Sequence, residues 1–194
     1  MTRRLIAVLL GGVVCLSGPS LDATLVIPAE FREIVADAAL IVRGTVTDVR
    51  SFVVSGSQID SVATVAVETL LKGEADRFVP VRVPGGDVGR TRYVMTGAPV
   101  FRTGQRAVFF LKRGPDAGWR PLGLTQGVYR VQSEAGTGRQ VVQPPIVPGR
   151  TTAVTGPIAR GDERRRPMPI SEFESLVRLV MTNPGGQAVR RGLR

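Results

Sequence analysis

One run constrains the fold more than any other. Residues 59–71, IDSVATVAVETLL, put Ile59, Ala63, Val65, Val67 and Leu71 on one side and Asp60, Thr64 and Glu68 on the other. A period of two is that of a strand with one buried face. The neighbouring runs agree. Residues 39–49, ALIVRGTVTDV, are β-branched and apolar, with Gly44 at a position that marks a bulge or tight bend. Ser51, Ser55, Gly56 and Ser57 predict a hairpin loop over 51–58. Residues 78–83 form a further strand, which Pro80 places at an edge or beside a bulge. Residues 105–112, 118–123, 127–132 and 139–142 follow as strands, the last two joined across Ser133–Gly138. Residues 84–104, rich in Gly and Pro, read as a long loop. Five or six short strands with turn signals about every ten residues predict a mostly β domain, a sandwich or small barrel.

Two helices flank this pattern. Residues 28–37, PAEFREIVAD, start with Pro28, carry Glu30 and Glu33 at the electropositive end, and set Phe31, Ile34 and Val35 on one face. Residues 170–182 are amphipathic, with Phe173, Leu176, Val177 and Val180 on one face and a Ser171–Glu174 capping box. A stripe of that kind docks on its own domain more often than on a partner. Residues 144–169, opening PPIVPG after Gln143 and holding Arg164-Arg165-Arg166, read as an extended or disordered linker, and 183–194 as a basic tail.

The N-terminus reads as a secretory signal peptide over residues 1–23. Arg3 and Arg4 precede a twelve-residue apolar run, 5–16, that is too short to span a bilayer, and Ser17-Gly18-Pro19 break it. Cleavage after Ala23 predicts an exported protein, periplasmic or secreted, with no transmembrane segment and no cysteine in the mature chain. Cys15 follows Val14 rather than the small residue a lipidation site needs.

Composition removes whole classes of chemistry. The chain has no His and one Cys, so it carries neither a Ser-His-Asp nor a Cys-His centre, and zinc, copper and haem sites lose their usual ligands. No cofactor is expected. Residues 84–91, PGGDVGRT, fall short of a phosphate loop at both ends: Pro84 stands for the first Gly and Arg90 for the Lys. No nucleotide is therefore expected either. The acids Asp60, Glu68, Glu74, Asp76 and Asp87 are spread over polar faces and turns, and no two stand out as a hydrolytic pair.

The formal charge is +10, and only two of the 26 basic residues are Lys. Residues 144–194 hold nine basic and four acidic side chains, against 15 and 11 in residues 24–143, so much of the excess belongs to the tail. Within the domain the arginines gather around the long loop. Arg90, Arg92, Arg102 and Arg106, with Tyr93 and Phe101, form the candidate ligand-binding set. Guanidinium forks match carboxylate, phosphate or sulfate, and aromatic rings add a stacking face.

The ordered segments ADAALIVRGTVTDV, TVAVETLLKGE, VRVPGGDVG, GAPVFRTGQRAVFFLKR and GLTQGVYRV resemble a family of uncharacterised exported bacterial proteins, over about residues 28–132. The layout of the first two is also similar to the start of netrin-like modules, which share the OB-type barrel of tissue metalloproteinase inhibitors. That resemblance implies a small five- to six-stranded OB-like barrel with a helix packed on it. It implies no inhibitory mechanism: those inhibitors set an N-terminal Cys on a zinc ion, and here Thr24 would come first, without disulfides. The leading expectation is a non-enzymatic binding module for an anionic polymer or an exported protein partner. The alternative is a carboxylate-dependent hydrolase acting outside the cytoplasm.

Overall fold

The computed structural model describes residues 29–145 and 167–183. Residues 1–23, expected to be a signal peptide, Pro28, most of the expected 144–169 linker and residues 184–194 lie outside the described residues. The chain is mostly β, with two α-helices, α1 (Phe31–Asp37) and α2 (Ile170–Thr182). Among the described residues no helix is long and apolar enough to cross a membrane.

The strands are β1 (Leu40–Ser55), β2 (Gln58–Lys72), β3 (Phe78–Pro84), β4 (Gly86–Val88), β5 (Thr91–Tyr93), β6 (Arg106–Arg113), β7 (Trp119–Pro121), β8 (Val128–Ser133), β9 (Gln140–Gln143) and β10 (Met168–Pro169). Eight form one sheet in the order β1-β2-β3-β7-β6-β8-β9-β10, and β1 also pairs with β6. β3 meets β7 only at Val81–Trp119, so it is nearly an edge strand, as Pro80 requires. β4 and β5 form a separate two-stranded ribbon inside the stretch expected to be irregular. The first hairpin is longer than expected. β1 continues to Ser55, and the turn shrinks to Gly56-Ser57. Met168 and Pro169, assigned by composition to the linker, pair with Val142 and Val141.

β6 is buried on both faces, which is why AVFFL reads as an unbroken apolar run. Val108 and Phe110 point to one side, where α1 and α2 pack. Ala107, Phe109 and Leu111 point to the other, against Val42, Val65 and Val81. Phe31, Phe110, Tyr129 and Phe173 interlock at centroid spacings of 5.0–6.3 Å, joining both helices to β6 and β8. Phe173, Val177 and Val180 are buried there, so the apolar face of α2 is docked on its own sheet. The expected capping box on α2 does not form. The helix begins at Ile170 with Pro169 at the N-cap, and the Glu174 carboxylate lies 3.2 Å from Arg43 Nε instead.

The single-face reading of β2 holds only in part. Arg43 pairs with Thr69 and Gly44 with Val67, leaving Glu68 as an extra residue. Such a bulge flips the faces beyond it. Ala63 and Val65 accordingly lie in the cluster away from the helices, whereas Leu71 packs in the helix-side cluster, and Val67 is half-buried. Asp60, expected on a solvated face, is buried. Arg82 on β3 covers it, with Nε 2.7 Å from Oδ2, and reaches on to Asp116 at 2.6 Å.

Candidate anion-binding groove

Where β6 begins, its first residue and those of the preceding turn meet β8 and β9 along an open groove of about 490 Å³. Three arginines line it. Arg102 stands on the turn before β6, which the Gln105 N–H closes by donating to the Arg102 carbonyl at 3.0 Å. Gly104, in the left-handed region at φ +83°, lets that turn close, and its N–H donates to the Val46 carbonyl at 2.8 Å. Arg106 is the first residue of β6. Arg130 lies on β8 opposite Ala107, on the outward side of a strand whose neighbours Tyr129 and Val131 are buried. Thr103, Gln105, Gln132, Ser133 and Gln140 add polar side chains to the lining, and no Asp or Glu belongs to it.

The three cations differ in what already holds them. Arg106 donates from Nε (2.7 Å) and Nη2 to Glu68 Oε2, and from Nη1 to Gln140 Oε1. Burial raises the Glu68 pKa, but hydrogen bonds from Arg106 and Thr45, with the charges of Arg106 and Arg43, outweigh it and hold the carboxyl below its ordinary value. The bulge is what aims Glu68 there. Arg102 and Arg130 are exposed and form no ion pair among the described residues; Arg130 Nη2 donates only to the Val100 carbonyl, at 3.4 Å. Those two are the cations the groove offers to a ligand.

Of the six residues singled out in the sequence, Arg102 and Arg106 come together in this groove. Arg90, Arg92 and Tyr93 sit on the β4–β5 ribbon, outside the groove lining. Arg92 binds Asp87 through two hydrogen bonds, 2.7 and 3.2 Å, which depress the Asp87 pKa, so its charge is locally matched. Phe101 is in the core at 5.8 Å from Phe109 and presents no face to a ligand. Alternation along this connection explains the correction: Pro99 and Phe101 are buried, whereas Val100 and Arg102 are exposed. Arg130 was missed, although its outward place in V-Y-R-V was the signal that could have found it.

No protein-family model and no curated protein matches the chain. The groove must therefore be read from its own chemistry. Among the described residues no three His, Cys, Asp or Glu side chains gather closely enough to hold a metal ion. Several acids are tied to guanidinium groups: Asp60 to Arg82, Asp116 to Arg82 and Arg120, Glu68 and Glu174 to Arg43.

Proposed function

We propose that the chain is an exported, non-enzymatic binding module on an OB-like fold, and that the Arg102–Arg106–Arg130 groove takes an anionic ligand. The observation that carries this reading is a groove with three arginines and no acidic lining residue, two of the arginines free of any carboxylate among the described residues. Guanidinium forks held on a strand and a closed turn are pre-organised for phosphate, sulfate or carboxylate oxygens. The OB-like assignment is supported by the β1–β6 pairing together with the β3–β7 bridge, which bring the first and later strands into one neighbourhood. A hydrolase is the less favoured reading: a general acid needs a raised pKa, and Glu68, which meets Arg43 as Glu174 does, has a lowered one.

The test is heparin-oligosaccharide binding across a salt series. Arg102→Ser with Arg130→Ser should weaken binding about tenfold or more and flatten the salt slope by about one per lost contact. Arg190→Ser with Arg191→Ser and Arg194→Ser measures the tail separately. The proposal fails if the tail changes abolish binding and the groove changes leave it intact. Deleting residues 144–194 would not be a fair control, because it removes Phe173, Val177 and Val180 from the core.

A further inference from the structure

The groove has an apolar lip. Val94 is 74% exposed, Val100 68% and Met95 36%, all on the connection between β5 and β6. They are local to each other: the Ala98 N–H donates to the Met95 carbonyl at 3.1 Å, a turn that ends two residues before Val100. The connection is pinned at three points. The Thr125 N–H (3.0 Å) and hydroxyl donate to the Gly97 carbonyl, Pro99 and Phe101 are buried, and Arg130 of the groove donates to the Val100 carbonyl. Val100 is thus held out on a fixed backbone beside Arg102 in the chain and at the Arg130 hydrogen bond, and Val94 and Met95 lie further back along the same connection. Single exposed apolar residues are ordinary, but a cluster of them next to unmatched cations marks an interaction surface.

A soluble polyanion would use the arginines and leave the lip in water. A surface that is both anionic and apolar would use both. We infer that this lip and groove dock on an anionic phospholipid surface, with headgroup phosphates in the groove between Arg102 and Arg130 and with Val94, Met95 and Val100 entering the boundary between headgroups and acyl chains. This rests on the anion-binding reading of the groove and names the source of its anion.

The experiment is co-sedimentation of the full chain with phosphatidylcholine vesicles, with and without phosphatidylglycerol, beside heparin-oligosaccharide binding. The apolar run 5–16 and the basic tail are common to all variants, so differences between variants report the lip and groove. Val94→Ser with Val100→Ser changes only exposed side chains. It should lower partition onto phosphatidylglycerol vesicles about tenfold and leave heparin affinity unchanged. A polarity-sensitive fluorophore on Val100→Cys, in a Cys15→Ser background, should shift to the blue on those vesicles and not with heparin. If the valine pair leaves vesicle partition unchanged, or the fluorophore does not shift while heparin still binds, the membrane inference is overturned and the groove reading stands, with a soluble polyanion or a protein as its ligand. If Arg102→Ser with Arg130→Ser weakens neither heparin nor vesicle binding, the groove reading falls and this inference with it.

Discussion

Gly44→Ala should destabilise the protein although glycine is a poor strand residue. A Cβ built on Gly44 would meet Val65 Cγ1 at 2.6 Å and the Ala66 carbonyl oxygen more closely still. Neither neighbour has room to retreat. Val65 is fully buried, and Ala66 is held by the ladder on both sides, opposite Thr45 on β1 and Phe78 on β3. Forcing a methyl into packed structure costs about 1–3 kcal/mol, and a contact with backbone belongs at the upper end. Replacing Gly also removes unfolded-state entropy, which returns about 0.4–1 kcal/mol. The net expectation is a loss of about 2 kcal/mol, or roughly 4–8 °C in Tm for a chain of this size. Urea unfolding followed by circular dichroism measures it, with Gly56→Ala as the comparison. Gly56 has nothing within 4 Å of a new Cβ and carries only its φ of +53°, so about 1–2 kcal/mol of left-handed strain is all it adds. The steric cause has its own signature: Val65→Ala removes Cγ1, so the double variant should be more stable than the sum of the two single losses. A neutral Gly44→Ala, or strict additivity with Val65→Ala, would refute the close approach at the bulge.

Val65→Ala should cost about 1–3 kcal/mol in the same assay, and Val67→Ala clearly less, because Val65 is fully buried and Val67 half-buried. Arg82→Ala leaves the buried Asp60 carboxylate without its cation and should cost about 2–4 kcal/mol, and adding Asp60→Asn should restore part of the loss. Glu68 has a folded pKa below its ordinary 4.5, so its contribution is complete above that value and disappears as pH falls through the folded pKa. Glu68→Gln should accordingly be less stable at neutral pH and lose less stability than the parent when unfolding is compared below about pH 4.5. The same change frees Arg106 beside the groove, so heparin affinity at neutral pH should rise; unchanged acid sensitivity would mean that Glu68 is not held by Arg43 and Arg106.

Side-chain periodicity made most of the fold legible, and its failures lie where local spacing carries no information. The Phe173–Val177–Val180 face, the doubly buried AVFFL strand and the helix at Phe31 each announce themselves by local spacing. What spacing cannot carry is a change of phase. Glu68 and Leu71 both occupy no ladder position, Leu71 lies on the helix side, and no residue type in TVAVETLL marks either place. Gly44 marks the first from the opposite strand, but only once the pairing is known. Asp60 fails for a related reason: an alternating strand predicts which face a carboxylate takes, and not that Arg82 from β3 covers that face. The β4–β5 ribbon was hidden because three-residue strands among glycines carry no period at all.

The candidate site illustrates the same limit in electrostatic form. In the sequence all the arginines around the long loop look alike, since a count of charges does not say which are already spent on a carboxylate. The sheet makes that division. It brings Glu68 to Arg43 and Arg106, Asp60 to Arg82, and Asp87 to Arg92, pairs that join residues on different strands. These arginines hold strands and bulges in place. Of the arginines left without a carboxylate among the described residues, Arg102 on its turn and Arg130 on the outward side of β8 are the two that line the groove, set there by the Ala107–Arg130 register. Conversely, among the described residues no acid lines the groove, and Glu68, which reaches Arg106 there, is held by Arg106 and Thr45. A variant that moved one acid into the groove, such as Gln132→Glu, would change net charge by a single unit while cancelling one of its two free cations. Its effect on anion binding should therefore far exceed that of the same charge added to the tail.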